Sequence, residues 1–342
     1  MAAIFRESFD WTTTVADLTK KGWMVTAGSG SVGSTKGRFA GSNGFGSSGA
    51  SSYILRTYAN QTGTTTKGAA FRFDTINASY ASDIMSVLDS TTQQLCLCLT
   101  PTGQLRVVLG AYNGTVLGTC TGTYVAGAWY YIELQTKIHA TTGTVDVQVN
   151  GVNVLHLTNQ VTKTTSNARE NGLCLGPIGS YGHTTSIDDV YINDDTGGVH
   201  DTFEGDVRII TTLPSGAGSS AEWTPLSGAN YAACDDPALD NDTTYVFAAT
   251  AALIDTYAMG DLTATPTIKD VSLNIIARKD DAGLNQIKVE TNQDATERDG
   301  ATTFTLSSSY LNCQEIFALC PDGTAWDATK FNALQVGVIR SA

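Results

Sequence analysis

The feature that most constrains this 342-residue chain is an alternation of apolar and polar residues with period two, repeated in one short segment after another. "GAAFRFDTI" (68–76), "QLCLCLT" (94–100), "GQLRVVLG" (103–110), "WYYIELQTKI" (129–138), "TVDVQVNG" (144–151), "VNVLHLT" (152–158), "SIDDVYIND" (186–194) and "DVRIITTL" (206–213) all carry it. In an extended chain successive side chains point to opposite faces, so each segment reads as a strand with one face toward a core. Turn chemistry separates them: "TPTGQ", "AYNGT", "ATTGT" and the pair Asn150-Gly151. Many short strands with turns at this spacing predict a sandwich or jelly roll.

Helical periodicity is scarce. "ASDIMSVLD" (81–89) and "DATKFNALQ" (327–335) are each compatible with two helical turns, the second with Asp327 as N-cap. The Gly/Ser-rich stretch 27–52 is read as irregular connections and edge strands, because a flexible linker so early would separate nothing. Its glycines are irregularly spaced and no helix follows, which leaves no basis for a phosphate loop.

A boundary is expected at "TGGVH" (196–200), giving units 1–198 and 199–342. Two prolines precede it and five follow. Charge changes there too. Residues 1–198 carry 13 Asp+Glu against 12 Lys+Arg, about −1, and residues 199–342 carry 20 against 8, the other −12 of the total −13. Beyond the boundary, "PSGAGSS" reads as a loop. "TTYVFAAT", "TIKDVSLNIIARK", "NQIKVET", "TTFTLSSSYL" and "ALQVGVIR" read as sandwich strands, with "KDDAGLN" (279–285) as a hairpin turn. Charged residues are only 15% of the chain, with Gly, Ser, Thr and Asn in their place. The acidic balance argues against nucleic acid, since phosphate contact needs Lys and Arg.

The N-terminal residues have no basic region followed by an apolar run, so no secretory signal is expected, and no window approaches the ~20 apolar residues that span a bilayer. Seven cysteines without a C-x-x-C are expected as reduced, mostly buried thiols of a chain folded in a cytosol. Cys96 and Cys98 lie on one face of a strand, a geometry poorly suited to a mutual bridge.

Several of these segments carry a family resemblance. "GAWYYIELQTKIHATTGTVDVQVNGVNVLHLT" followed by "SIDDVYIND", with "FRESFDW" and "GRFAGSNGF" before them, resembles the concanavalin A-like lectin/glucanase (laminin G-like) superfamily over roughly residues 4–196. The continuation, ending in "PDGTAWDATKFNALQVGVIR" (321–340), resembles virion structural proteins of tailed bacteriophages, where such a jelly roll is joined to a second all-β module. The fold expected is therefore all-β: a concanavalin A-like jelly-roll sandwich followed by a smaller, acidic β-sandwich module. The resemblance implies a structural, decorating or tail/fibre component of a virion, assembled in the host cytoplasm. Its partners would be other virion proteins and copies of itself, as a trimer or ring, with no nucleic acid and no membrane insertion. The alternative is an adsorption protein whose lectin-like unit recognises host-surface glycan.

The stretch "TTSIDDVYINDDTGG" (184–198) is the first place to look for chemistry. In strict strand register Asp188 points opposite to Asp189, so the two are not expected to act as an acid/base pair. Glu133 stands alone, and glycoside hydrolysis needs two carboxylates about 5–10 Å apart. Calcium is a second candidate, through Asp188 or Asp189 or through Asp235, Asp236, Asp240 and Asp242 of "CDDPALDND", but these aspartates read better as turn and strand-end groups. His139, His156, His183 and His200 lie in turns or alternate along strands, and no G-x-S-x-G elbow is present. His183 and Cys174 read as packing residues and not as zinc ligands. Tyr112, Asn113, Tyr181 and His183 lie in turns where a rim could form, as a sugar-binding patch would require, and the five tryptophans read as core anchors. The expectation is a protein without enzymatic activity, with no catalytic residue, no cofactor and no metal ligand.

Overall fold

The computed structural model describes residues 3–26, 30–178 and 182–342. They divide into two compact units, the first ending at Ile209 and the second beginning at Ile210. Among them no helix is long and apolar enough to cross a membrane.

The first unit is a sandwich of two antiparallel sheets. One has eight strands. Val152–Gln160, Gly143–Val149, Trp129–Lys137, Thr64–Thr75 and Thr184–Asp194 lie side by side in that order, and Gly44–Ser47 and Ser31–Gly33 continue beyond Thr184–Asp194. Ala3–Glu7 also pairs with Thr184–Asp194. The other sheet has seven strands, in the order Thr115–Thr119, Leu105–Leu109, Thr92–Leu99, Ser82–Asp89, Glu170–Leu175, Tyr53–Gln61 and Trp23–Thr26. The inward positions of both sheets meet in one core that includes Phe5, Phe45, Phe71, Phe73, Leu97, Ile132, Val147, Ile187 and Ile192. Area removed from water at these side chains is the main force holding the sheets together.

Two buried ion pairs lie in this otherwise apolar interior. Lys67 of the eight-stranded sheet meets Glu170 of the seven-stranded one at 2.5 Å, both essentially without solvent exposure. Thr65, Thr136 and Tyr58 donate hydroxyl hydrogen bonds to the same carboxylate. Lys21 pairs with Glu7, whose other oxygen accepts the Trp23 indole N–H at 3.2 Å. A buried charge is tolerated only when paired and fully hydrogen-bonded, and both sites meet that condition.

The second unit has a six-stranded sheet. Pro214–Ala221, Ile254–Met259, Gln335–Arg340, Gln286–Gln293 and Thr296–Asp299 lie in that order, and Phe304–Thr305 also pairs with Gln286–Gln293. Two two-stranded sheets accompany it: Val271–Ala277 with Leu311–Phe317, and Thr224–Pro225 with Val246–Phe247. Its buried apolar residues form two small clusters, one around Val289 and Trp326 and one around Ile287 and Cys313.

The structure departs from the sequence expectations at several places. Residues 82–89 form a strand and not a helix, buried on every residue; a strand covered on both faces loses its alternation. Residues 206–213 form no strand, and the backbone of Val207 and Ile209 pairs with the side chains of Arg38 and Asp189 instead of with a neighbouring strand. "PSGAGSSA" (214–221) is a strand and not a loop. Its small residues permit close approach: a Cβ on Gly218 would stand 2.3 Å from the Thr256 carbonyl oxygen. "KDDAGLN" makes no hairpin, since the strands it joins belong to different sheets. The division falls at 209/210 instead of 198/199, which moves Asp201, Glu204, Asp206 and Arg208 into the first unit. The charges become 16 Asp+Glu against 13 Lys+Arg (−3) for residues 1–209 and 17 against 7 (−10) for residues 210–342. The helix at 328–333 forms as expected, with the Asp327 carboxylate accepting the Lys330 N–H. A second short helix, Val15–Lys20, has no counterpart among the sequence expectations; Thr14 and Asp17 form a reciprocal capping box at its start. Of the Gly/Ser-rich stretch, residues 27–29 lie outside the described residues.

Candidate functional site

The outer face of the eight-stranded sheet gathers Asp188 and Asp189 of "TTSIDDVYIND". Strand Thr184–Asp194 changes partner halfway along one edge: residues 185–187 pair with Gly44–Ser47 and residues 190–193 with Ala3–Glu7. Between the two, on the other edge, register slips, so that Asp188 faces Ala70 while Tyr191 already faces Gly68. This is a β-bulge, and Asp189 takes a left-handed backbone there, φ 52°. The extra residue reverses the parity of everything before it. Ile187, Val190 and Ile192 all point into the core, and both aspartates lie buried at the bulge with their carboxylates engaged from the same side. The expectation that Asp188 and Asp189 point to opposite faces is corrected by this bulge.

The Asp188 carboxylate accepts the N–H groups of Arg38 and Asp189, each at 2.8 Å, and the Ser42 hydroxyl at 3.3 Å. The Asp189 carboxylate accepts the Ile209 N–H at 2.8 Å and an Arg38 guanidinium N–H at 3.3 Å. Burial, followed by the neighbouring Asp189 charge, holds the Asp188 carboxyl well above the usual carboxylate range; burial raises Asp189 as well. Every oxygen of the pair is turned toward a donor. A calcium ion needs those lone pairs for itself, so the cluster is not arranged as a cation cage.

One row further along the sheet, Tyr191, Gly68 and Glu133 are register neighbours. The Tyr191 ring crosses Gly68, where a Cβ would stand 2.2 Å from it, and its hydroxyl donates to Glu133 Oε1. Tyr131 stacks beside Tyr191 with ring centres 6.4 Å apart. Glu133, solitary in the sequence, is wholly buried, and burial raises its pKa. Its Oε1 also accepts the N–H groups of Glu204 and Gly205, both at 2.9 Å, while its Oε2 has no partner.

These contacts define a strap. Residues 204–209 lie along the outer face, held by Glu133 at 204–205, by Arg38 at the Val207 carbonyl (3.1 Å) and at the Asp206 carboxylate (2.5 Å), and by Asp189 at Ile209. Asn193 reaches Glu204 at 2.9 Å, and the Arg208 guanidinium sits 4.0 Å above the Phe39 ring centre. The strap occupies the centre of that face.

The other sequence candidates do not converge. His183 is buried, with Nδ1 accepting the Asn77 N–H and Nε2 against the Leu99 carbonyl, and burial lowers its pKa. Cys174 packs against Leu55 and Leu88 instead. His139 closes a turn by accepting the N–H groups of Thr141 and Thr142, while His156 and His200 face Asp146 and Glu204. Tyr112 packs over Cys96, Cys98 and Val108, Asn113 is in an exposed turn, and Tyr181 lies outside the described residues, so no shared aromatic rim is formed by those described. In the acidic loop, Asp236 and Asp240 both accept from the Thr244 hydroxyl, and Asp242 is taken up by Arg278 and Tyr310. Trp23 and Trp326 are buried, as a core role requires.

Sequence reasoning misses a groove in the second unit. Ser219, Ser220, Asn292, Ala295, Glu297 and Gln335 line a cavity of about 380 Å³. Gln335 Oε1 accepts the Ser219 N–H and hydroxyl at 2.8 and 2.9 Å, Asn292 donates to Ser219 at 2.7 Å, and Ser220 donates to Glu297. Glu290, two residues before Asn292 on the same strand, is fully buried with neither oxygen partnered. Burial, then the charges of Asp299 and Glu297, raise its pKa to about 7. The only signal of it in the sequence is the acidic run from Glu290 to Asp299.

No family model matches the chain, and no curated protein matches it. Among solved structures, a Trypanosoma rangeli sialidase in complex with the inhibitor DANA aligns over 50% of this chain and 30% of its own, at 14% identity and a TM-score of 0.36. A further sialidase aligns over 57% of this chain and 19% of its own, at 15% identity and a TM-score of 0.41. The carbohydrate-binding module CBM66 from Bacillus subtilis aligns over 51% of this chain and 96% of its own, at 14% identity and a TM-score of 0.35. The chain thus spans less than a third of the sialidases it matches, and no ligand or activity is taken from these partial likenesses. The expectation of a protein without enzymatic activity is nonetheless corrected. Most of these similar structures are sialidases, so the absence of enzymatic activity is not retained as a statement about this chain, and the carboxylates of the outer face, engaged by the chain's own donors, add nothing to either side.

Proposed function

We propose that the chain is a structural component of a tailed-phage particle, its second unit making contacts with other virion proteins or with copies of itself. The observation that carries this reading is the small sheet Thr224–Pro225/Val246–Phe247. Leu226, Tyr245 and Phe247 stand on one face of it, 49%, 37% and 47% exposed, with the two aromatic rings 6.2 Å apart. Aromatic and aliphatic side chains displayed together on a short two-stranded sheet are the usual make-up of a protein-contact surface. The first unit supports the same reading from the other direction. The centre of the outer face of its eight-stranded sheet is covered by the chain's own residues 204–209, which leaves that area unavailable to a ligand. The assignment to a virion rests on the resemblance of the sequence. The test is quantitative mass spectrometry of purified particles carrying the native chain or Phe247→Asp. The expected result is a fixed copy number for the native chain and severalfold lower incorporation of the variant at equal soluble expression. Absence of the native chain from particles would overturn the reading.

A second reading is favoured by the groove at Ser219, Asn292, Glu297 and Gln335, whose hydroxyl, amide and carboxylate groups suit the hydroxyls of a saccharide. It places glycan recognition in the second unit and not in the lectin-like one. Glycan-array binding that Asn292→Ala and Gln335→Ala abolish would support it, and binding unaffected by both would refute it.

A further inference from the structure

On the outer face of the seven-stranded sheet, three buried side chains bring two sulfur atoms and one carboxylate oxygen within 4.8 Å of one another: Asp83, Cys96 and Cys98. Cys96 Sγ and Cys98 Sγ stand 3.2 Å apart, and Cys98 Sγ is 3.3 Å from Asp83 Oδ1. We propose that these three residues bind one thiophilic divalent cation, zinc in the first place.

Four observations support it. The first is spacing. Zinc bonds of about 2.3 Å to sulfur and about 2.0–2.2 Å to oxygen place tetrahedral donors about 3.5–3.8 Å apart, so the sulfur pair at 3.2 Å and the sulfur–oxygen pair at 3.3 Å need to move apart by about half an ångström or less, and the third separation already lies within 4.8 Å. The second is rigidity. Asp83 and Cys98 are register partners across one ladder and Cys98 and Arg106 across the next, so Asp83, Cys98 and Arg106 form one row over three adjacent strands. Gln93 holds the far oxygen of Asp83 at 3.0 Å, leaving the near one toward the sulfur.

The third is charge. Two thiolates and a carboxylate carry −3; a divalent ion supplies +2 and Arg106 the remaining +1. The Arg106 Nε is buried without a hydrogen-bond partner, a costly arrangement beside two neutral thiols and a favourable one beside a metal–thiolate centre. The fourth concerns the alternative fate of the pair. Residues i and i+2 of a strand lie about 6.5–7 Å apart at Cα, the far limit for a disulfide, so the close sulfurs are better matched to a shared ion than to a shared bond. On binding, the two S–H protons leave to solvent as two metal–sulfur bonds form.

The test uses the full chain produced in minimal medium supplemented with cobalt or with zinc, so that the ion is present as the sheet closes. One cobalt per chain and a thiolate-to-cobalt charge-transfer band are expected. Cys96→Ser and Cys98→Ser should abolish the band and lower metal content at least tenfold. Cys174→Ser, altering another buried thiol of the same sheet, should leave both unchanged. A chain free of metal in both media, or a band that survives Cys96→Ser and Cys98→Ser, would overturn the proposal. Because the serine variants risk misfolding, X-ray absorption at the zinc edge of the unmodified chain provides an independent measurement. Two sulfurs bonded to the zinc support the site, and ligation by nitrogen and oxygen alone refutes it.

Discussion

Two buried carboxylates, one in each unit, are held in opposite ways. In the first, Glu170 is buried between the two sheets with Lys67 and three hydroxyls around it. In the second, Glu290 is equally buried and neither of its oxygens has a partner, while Glu297 and Asp299 stand across from its strand. The first arrangement is a pinned joint between two sheets. The second is a protonation site, its carboxyl kept protonated toward neutral pH by burial and by like charge. The cores differ as well: the first unit has one large apolar interior beside a few small clusters, and the second has two small clusters alone.

Breaking the pinned joint should give the largest effect. Lys67→Met leaves a buried Glu170 without its counter-ion and is expected to cost about 3–5 kcal/mol in the unfolding of the first unit. Lys67→Met combined with Glu170→Leu should recover most of that loss. Urea unfolding monitored by far-ultraviolet circular dichroism checks both, and a neutral Lys67→Met would show that the pair is not the joint described.

The strap comes next. Glu133→Ala removes the acceptor of the Glu204 and Gly205 N–H groups and of the Tyr191 hydroxyl, which should cost about 1–3 kcal/mol. It should also make residues 200–209 the first site of limited proteolysis. Unchanged cleavage kinetics would mean that the strap is held by other contacts.

Glu290 sharpens the contrast through pH. Its folded pKa of about 7 lies above the ordinary glutamate value of 4.5. Its protonated form is therefore favoured by folding, and the stability this contributes is complete below about pH 4.5 and lost as pH rises through about 7. Glu290→Gln should flatten this decline in the second unit and raise its melting temperature at pH 8 without changing it at pH 4.5. An identical pH profile for the variant would sink the assignment. The smallest effect is expected at His156, an exposed residue facing Asp146: His156→Ala should change stability by less than about 1 kcal/mol in the same urea assay.

Most strands are legible in the sequence because alternation is imposed wherever one face of a strand meets a core. It fails where that premise fails. Residues 82–89 are buried on both faces and read as a helix; residues 214–221 carry Gly and Ser, which fit a close strand contact but give no apolar signal. The site is less legible still. One inserted residue at Asp188–Asp189 reverses parity, and nothing in "SIDDVYIND" announces that the strand changes partner there. Glu133 and Tyr191, 58 positions apart, meet only because Gly68 leaves room between them.

The proposed division of labour between the units rests on the strap that covers the centre of the first unit's outer face. Amide hydrogen exchange at Glu204, Gly205 and Ile209 in the native chain tests that closure most directly. Protection of these three, reduced at Glu204 and Gly205 in Glu133→Ala, is the expected result. Exchange at the rate of an unstructured peptide in the native chain would contradict it and return that face to solvent.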